Sequence, residues 1–386
     1  MPKHIHALRP PMFIDQQSVF DALVKKLASE PVLAVDTEAN SLFAYREQVC
    51  LIQLSSSSAD YIIDPLSLKD LTSLGELFNN PAVEKVFHAS EYDLLILHED
   101  FQFEFQNLFD TMIAAQILGR KKLGLDALLL EFFDLKVDKK FQRSDWGKRP
   151  IPEDMLHYAQ VDTHYLIKIR HILAEELKKK GLDAIAGEDF ARACLVYHNH
   201  QENKLAPCWR INGARKLSPQ KAAVLSSLCQ YREEYARKIN KPVFKVLGAK
   251  TLLKLAEEMP TSEAQLMNMD LPGKRNLQRH KASLIKAIRD GLSSKPIYPP
   301  QKARLDNSYL VRENALREWR KITARKMNVN SAVVLPRELL YKVVSENPRT
   351  WSELEVVLKD VPWRREKFGE EILSVLKKAQ YTGKII

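Results

Sequence analysis

Apolar and polar positions change their period along this chain of 386 residues. Over roughly the first half, short apolar runs alternate with stretches of helical spacing. Pro31-Val32-Leu33-Ala34-Val35 is one such run, and a continuous apolar run bounded by polar residues reads as a buried strand. The predicted strands are Val32–Asp36, Val49–Leu54, Tyr61–Ile63 and Lys85–His88, with a short one near Phe105–Phe109. Helical spacing predicts Gln17–Ala28, Leu68–Asn79, Glu91–Glu99, Thr111–Leu118, Leu125–Phe133 and one long helix, Pro152–Lys178. Asp110 stands where it can cap the helix that starts at Thr111, and Pro152 suits a first helical turn. Three early strands joined by short loops predict an antiparallel meander. Later strands separated by helices predict parallel additions to the same sheet.

After about residue 205 the apolar positions follow helical spacing throughout, as in Ala222, Leu225, Leu228 and Tyr231, then Leu252, Leu255 and Ala256. A second helical block begins near residue 308. Between the blocks, the stretch Gly291–Asp306 contains Pro296, Pro299 and Pro300 and reads as a linker. The two blocks repeat each other at an offset of 88 residues. Ala236-Arg237-Lys238-Ile239-Asn240 matches Ala324-Arg325-Lys326-Met327-Asn328, and Leu247, Leu252, Pro260 and Leu266 meet Leu335, Leu340, Pro348 and Leu354 without a gap. The predicted organisation is an α/β domain over residues 1–205 followed by two copies of a small all-α module, 206–295 and 305–386.

A hydrophobic content of 45% marks a globular chain, and a net charge of +10 favours a polyanionic partner, nucleic acid being the commonest. An ordinary basic protein is the competing reading of the charge. The four cysteines form no CxxC pair, which points to buried thiols in a reducing compartment rather than to zinc or disulfides. The N-terminal residues contain no apolar stretch of signal-peptide length, and no run approaches membrane-spanning length, so the expectation is a soluble, cytoplasmic protein with no membrane partner.

Against that basic background, a few acidic residues fall in patterned places. Asp36 and Glu38, at i and i+2 of a strand end, share one face. Tyr158 and Asp162, four apart in a helix, also share a face, and Asp93 lies near a helix start. Each alone has a plainer reading as a turn former, a helix-terminal acid or a solvated charge. Gathered together, four carboxylates and a phenol would line one cavity. Such charges repel unless cations lie between them, and hard divalent ions with oxygen ligands, Mg2+ or Mn2+, suit the site.

These residues resemble the ribonuclease D family, of the DEDDy branch of 3′→5′ exonucleases. Asp36-Thr37-Glu38 stands as the first motif, and Val86-Phe87-His88-Ala89-Ser90-Glu91-Tyr92-Asp93-Leu94 as the second, with Asp93 its acid. Tyr158-Ala159-Gln160-Val161-Asp162 stands as the third. Phe109-Asp110-Thr111 and the stretch from Asp145-Trp146 to Pro152 are also similar to the family. Asp145–Tyr165 resembles the nuclear exosome exonucleases of the same branch. The two helical blocks resemble HRDC modules, two of which follow the nuclease domain in ribonuclease D.

The resemblance implies an RNase H-like fold and release of nucleoside monophosphates from free RNA 3′ ends, with transfer RNA 3′ ends favoured. It also implies two divalent metal ions. Asp36 is then expected to bridge both ions, Glu38 and Asp162 to hold the one that activates water, and Asp93 to help hold the other. Tyr158 is expected to position the attacking water. Candidates for substrate contact are Thr37, Leu42, Phe43, His88, Trp146 and Arg143. Leu42 and Phe43 can stack on the terminal base or pack in the core. His88 reads more readily as a packed histidine, and Trp146 as a base stacker or as the anchor of its loop. Lys121, Lys122, Lys139, Lys140, Arg143, Lys148 and Arg149 can line the RNA path, a solvated surface being the alternative. A DNA exonuclease would need the same metal site, and contacts to the 2′-OH, which separate the two, are not visible in sequence. No GxxxxGK[ST] loop supports a helicase. Nothing in the sequence demands more than a monomer.

Overall fold

A computed structural model describes residues 8–195, 207–272, 274–300 and 306–382. The α/β part runs β1 (Met12–Ile14), α1 (Gln17–Leu27), β2 (Val32–Ala39), β3 (Val49–Ser55), β4 (Asp60–Ile63), α2 (Thr72–Asn79), β5 (Glu84–Phe87), α3 (Glu91–Phe101) and β6 (Leu108–Asp110). It continues with α4 (Thr111–Ile117), α5 (Leu125–Phe133), α6 (Glu153–His164), α7 (Leu166–Lys179) and α8 (Asp183–Ala193).

The six strands form one sheet in the order β1-β4-β3-β2-β5-β6. β3 and β4 pair antiparallel, whereas β2 with β5 and β5 with β6 pair parallel, so the predicted parallel additions are present. Every residue of β3 is buried, so its sequence shows no inside-outside alternation, and its two polar residues, Gln53 and Ser55, are buried with the apolar ones. The edge strand β1, parallel to β4, is absent from the sequence reading because three residues carry no measurable period. The predicted helix Pro152–Lys178 is interrupted at Tyr165, giving α6 and α7. No proline or glycine marks that break. The last turn of α6 is instead drawn to β4, where Asp60 accepts hydrogen bonds from Gln160 (2.7 Å) and His164 (2.8 Å).

The helical modules confirm the repeat helix by helix. The first has α9 (Pro219–Lys238), α10 (Val243–Val246), α11 (Ala249–Glu258), α12 (Glu263–Asn268) and α13 (Lys274–Ser293). The second has α14 (Asn307–Met327), α15 (Ser331–Val334), α16 (Arg337–Glu346), α17 (Trp351–Val357) and α18 (Pro362–Thr382). Leu228, Leu252, Leu255, Leu266 and Ile288 are buried in one core; Leu316, Leu340, Val343, Leu354 and Leu376, at the same offset, are buried in the other. The shared asparagine has a backbone cause. Asn240 (φ 45°) and Asn328 (φ 54°) both adopt the left-handed conformation past a helix end, which asparagine tolerates better than most residues. The predicted linker is helical as far as Ser293, and residues 301–305 of it, like the 205/206 boundary, lie outside the described residues.

The chain divides into two compact units. One contains the α/β elements together with the second module, and the other joins Ala39–Gln48 to the first module. Within the latter, the Tyr45 N–H donates to Asn240 Oδ1 (3.1 Å) and the Tyr45 hydroxyl to Glu233 (3.1 Å). Lys245 Nζ lies 4.2 Å from the Phe43 ring centroid. In the former, Arg364 of α18 is fully buried and pairs with Glu188 (3.0 Å) and Asp189 (2.8 Å) of α8. Among the described residues, no helix is long and apolar enough to cross a membrane.

Candidate active site

β2 lies in the middle of the sheet, and its carboxyl end carries Asp36 and Glu38 on one face. β5 runs parallel beside it, and the chain leaves β5 through a corner at Ala89 and Ser90 into α3, whose first turn holds Asp93. The carboxyl ends of adjacent parallel strands in an α/β sheet are where ligands bind. α6 packs across β3 and β4 and brings Tyr158 and Asp162, one helical turn apart, to the same place. Three networks fix this assembly. Asp60 also accepts from Ser55 Oγ (2.7 Å), and Ser55 Oγ meets Thr163 (2.7 Å), locking α6 to the sheet. The Thr37 hydroxyl donates to Asp93 Oδ1, tying the first acidic segment to the second. Arg149 clamps the loop before α6 to β3 and to the residue after β4, bonding Asp64 twice (2.7 Å each) and the Trp146 (2.7 Å) and Cys50 (2.8 Å) carbonyls.

The electrostatics show convergence of all four acids. Asp36 titrates well above the usual carboxylate range, chiefly through burial, then through Asp93, Asp162 and Glu38. Glu38 is raised by burial, then by Asp162 and Asp93. Burial and its neighbour Asp93 push Asp162 up to about 7. Burial carries Asp93 to about 7 as well, against the opposing hydrogen bond from Thr37. Among the described residues none of the four is paired with a cation, in contrast to Asp64, which the Arg149 hydrogen bonds hold below the usual range despite the opposing effect of burial. Oxygen-only donors that destabilise one another when ionised match the chemistry of a hard divalent cation site. Among the described residues no three or more Asp, Glu, His or Cys side chains are gathered into a group that could hold a metal ion as they stand.

Tyr158 is half-buried, with its ring 6.2 Å from Trp146 and 5.9 Å from Phe141. Burial, then the charges of Asp162, Glu38 and Asp36, raise its phenol above the ordinary value. The hydroxyl therefore stays protonated at neutral pH, so it can orient a water molecule but cannot serve as a free base.

The other candidates separate by environment. Trp146 is 1% exposed, packed with Cys50, Leu51, Ile62, Met155 and Ala159 beneath Tyr158, so it supports that ring and offers no face to a base. Thr37 is buried and directed at Asp93. His88 is half-buried, its Nδ1 2.9 Å from Thr111 Oγ1, and burial lowers its pKa. Arg143 and Leu42 are exposed. Phe43 lies in the segment that groups with the first helical module. Of the basic residues placed along an RNA path, Arg149 is committed to Asp64, and Lys139 pairs with Asp126 (2.9 Å). Asp110 caps α4 as expected, accepting from Met112 N (2.8 Å) and Ile113 N (3.1 Å). The sequence reading missed Arg149's role because its partner lies 85 residues away.

Residues 11–178 match a family model described as 3′-5′ exonuclease, and residues 221–288 and 310–376 each match the HRDC domain. Among curated proteins, RRP6-like 2 of Arabidopsis thaliana is 31% identical over 296 residues, covering 73% of this chain and 34% of that protein. The exosome complex component 10 homolog of Caenorhabditis elegans is 33% identical over 308 residues, covering 76% and 35%. The chain thus spans about a third of the length of these relatives. Among solved structures, Escherichia coli RNase D, an exoribonuclease involved in structured RNA processing, superposes with a TM-score of 0.71 at 25% identity, covering 96% of this chain and 99% of that one. The catalytic core of RRP6 from Trypanosoma brucei superposes with a TM-score of 0.63 at 28% identity, covering 73% and 80%.

Proposed function

We infer that this chain, which belongs to the 3′-5′ exonuclease family and carries two HRDC domains in the arrangement of RNase D, is an exoribonuclease that removes nucleotides one at a time from RNA 3′ ends. The observation that carries this reading is the meeting of four uncompensated carboxylates and one protonated phenol at the carboxyl ends of two parallel strands. Asp36, Glu38, Asp93 and Asp162 would hold two divalent ions, Mg2+ or Mn2+. Bound there, such ions would stabilise the attacking and leaving oxygens of an in-line phosphoryl displacement. The chain's own residues supply the rest. Thr37 holds Asp93 toward the cluster. Tyr158, braced by Trp146, presents a hydroxyl that orients the attacking water. The net charge of +10 draws a polyanion to the protein.

Transfer RNA precursors are the substrates we assign first, on the resemblance of the sequence motifs to the ribonuclease D family; the likeness to Escherichia coli RNase D, an exoribonuclease involved in structured RNA processing, supports a structured RNA. A monomer working in the cytoplasm suffices for this reaction. Matched RNA and DNA oligonucleotides labelled at the 5′ end, incubated with and without chelator, test the reading. The expected result is a ladder shortening from the 3′ end on RNA, abolished by chelator. Internal cuts, or laddering on DNA alone, would overturn it.

A further inference from the structure

Asp110 is 1% exposed, and the cap it provides to α4 accounts for only part of its bonding. Its Oδ1 accepts from Met112 N and Ile113 N, and also from the N–H of Ala89 (3.2 Å). Its Oδ2 accepts from the Ser90 N–H (2.8 Å) and the Ser90 hydroxyl (2.9 Å). A carboxylate offers about four acceptor positions, so these donors saturate it and leave nothing for a metal ion or a substrate. Three of the bonds reach a different element from the one it caps, namely the corner between β5 and α3.

That corner needs holding. Ala89 sits at φ 63°, a left-handed conformation that a residue with a Cβ adopts only under constraint. The neighbouring residue grips the same corner: Thr111 Oγ1 donates to the Phe87 carbonyl (3.0 Å) and lies 2.9 Å from His88 Nδ1. Asp93 follows three residues after Ser90, in the first turn of α3, 7% exposed, with Thr37 holding its carboxylate from β2. The direction of Asp93 is therefore set by the corner behind it and by Thr37 in front.

We propose that Asp110 is a positioning residue of the active site, whose carboxylate fixes the corner at Ala89 and Ser90 so that Asp93 faces the other three acids. This rests on the reading of those acids as a divalent cation site. Partners that orient metal ligands from behind change metal affinity by about 10–100-fold when removed.

The test is Mn2+ binding to the whole protein, followed by calorimetry and by the Mn2+ electron spin resonance signal, with thermal melting alongside. In Asp110→Asn an amide replaces one of the oxygens that receive the corner N–H groups. Its Mn2+ dissociation constant is expected to rise about 10-fold or more. Ser90→Ala removes a single donor and no charge, and is expected to weaken Mn2+ a few-fold. It carries the test if Asp110→Asn does not fold. Asp306→Ala removes a comparable cap from α14, whose Tyr309 N–H that side chain accepts, and should leave Mn2+ binding unchanged. Mn2+ binding within twofold of the parent protein in Ser90→Ala, and in Asp110→Asn where it folds, would reduce Asp110 to a helix cap and overturn the proposal. If the parent protein itself binds no Mn2+, the failure lies instead with the proposed function.

Discussion

Glu188 and Asp189 on α8, and the four acids around Tyr158, are both groups of buried or half-buried carboxylates, and the fold handles them in opposite ways. The first group is met by Arg364, a fully buried guanidinium that bonds both carboxylates and the Val333 carbonyl. Glu188 also accepts from the Trp363 and Arg364 N–H groups. The second group has a hydroxyl and a few backbone donors and, among the described residues, no cation. Uncompensated charge shielded from water is costly, and a fold that tolerates it in one place while neutralising it in another marks the first place for chemistry. The paired group serves architecture, joining the second helical module to the α/β domain.

The sharpest separation of the two groups comes from Asp36→Asn. Turnover should fall about 10⁴-fold, the several kcal/mol of charge stabilisation that a metal cluster supplies, while the melting temperature of the metal-free protein holds or rises. A metal-free melting temperature that drops would place Asp36 among the structural acids. Arg364→Ala should do the reverse. Leaving Glu188 and Asp189 buried without their partner costs about 3–5 kcal/mol, measured by urea unfolding, with activity per folded molecule unchanged. Tyr158→Phe keeps the ring against Trp146 and removes only the hydroxyl. Its kcat should fall about 10²-fold with little change in RNA affinity, and a change confined to affinity would contradict the water-orienting role.

The smallest effect is on the pH dependence of stability. Burial lifts Asp93 and Asp162 to about 7 in the folded chain from an ordinary aspartate value of 3.8, so between those values the native state holds more protons than the unfolded state. Stability of the metal-free protein should then decrease as pH rises from about 4 to about 7, and Asp162→Asn should flatten that slope. Asp60 and Asp64 act oppositely. Burial alone would raise them, but hydrogen bonds from His164 and Arg149, among others, hold them low, so their contribution is present above the unfolded pKa and is lost as pH falls below it. Melting temperatures recorded from pH 3 to pH 8 in chelator read both trends in one series.

Much of the site was readable because its signals are local. Asp36 and Glu38 follow an apolar run at a spacing that a strand projects to one face, and Tyr158 and Asp162 sit at a helical spacing. The helical repeat was readable because the same backbone needs recur at fixed distance, as with Asn240 and Asn328. The unread parts depend on partners far away in sequence. Asp110 looked like a cap because a cap is local, whereas its bonds to Ala89 and Ser90 span about 20 residues and leave no pattern. Arg149 looked like a surface cation because nothing near it announces Asp64. Helix α8 went unread for a different reason: Ala, Gly and acidic residues dilute its apolar stripe, and its burial comes from packing against β6 and α4.

The discontinuous make-up of the second unit has a consequence for how the chain is made. Tyr45 precedes its partner Asn240 by 195 residues. At translation speeds of roughly 5–20 residues per second, the segment between β2 and β3 emerges from the ribosome about 10–40 s before that partner exists. The sheet can pair in that interval, but the stretch directly after Asp36 and Glu38 must wait for the first helical module to be synthesised before it acquires its final contacts.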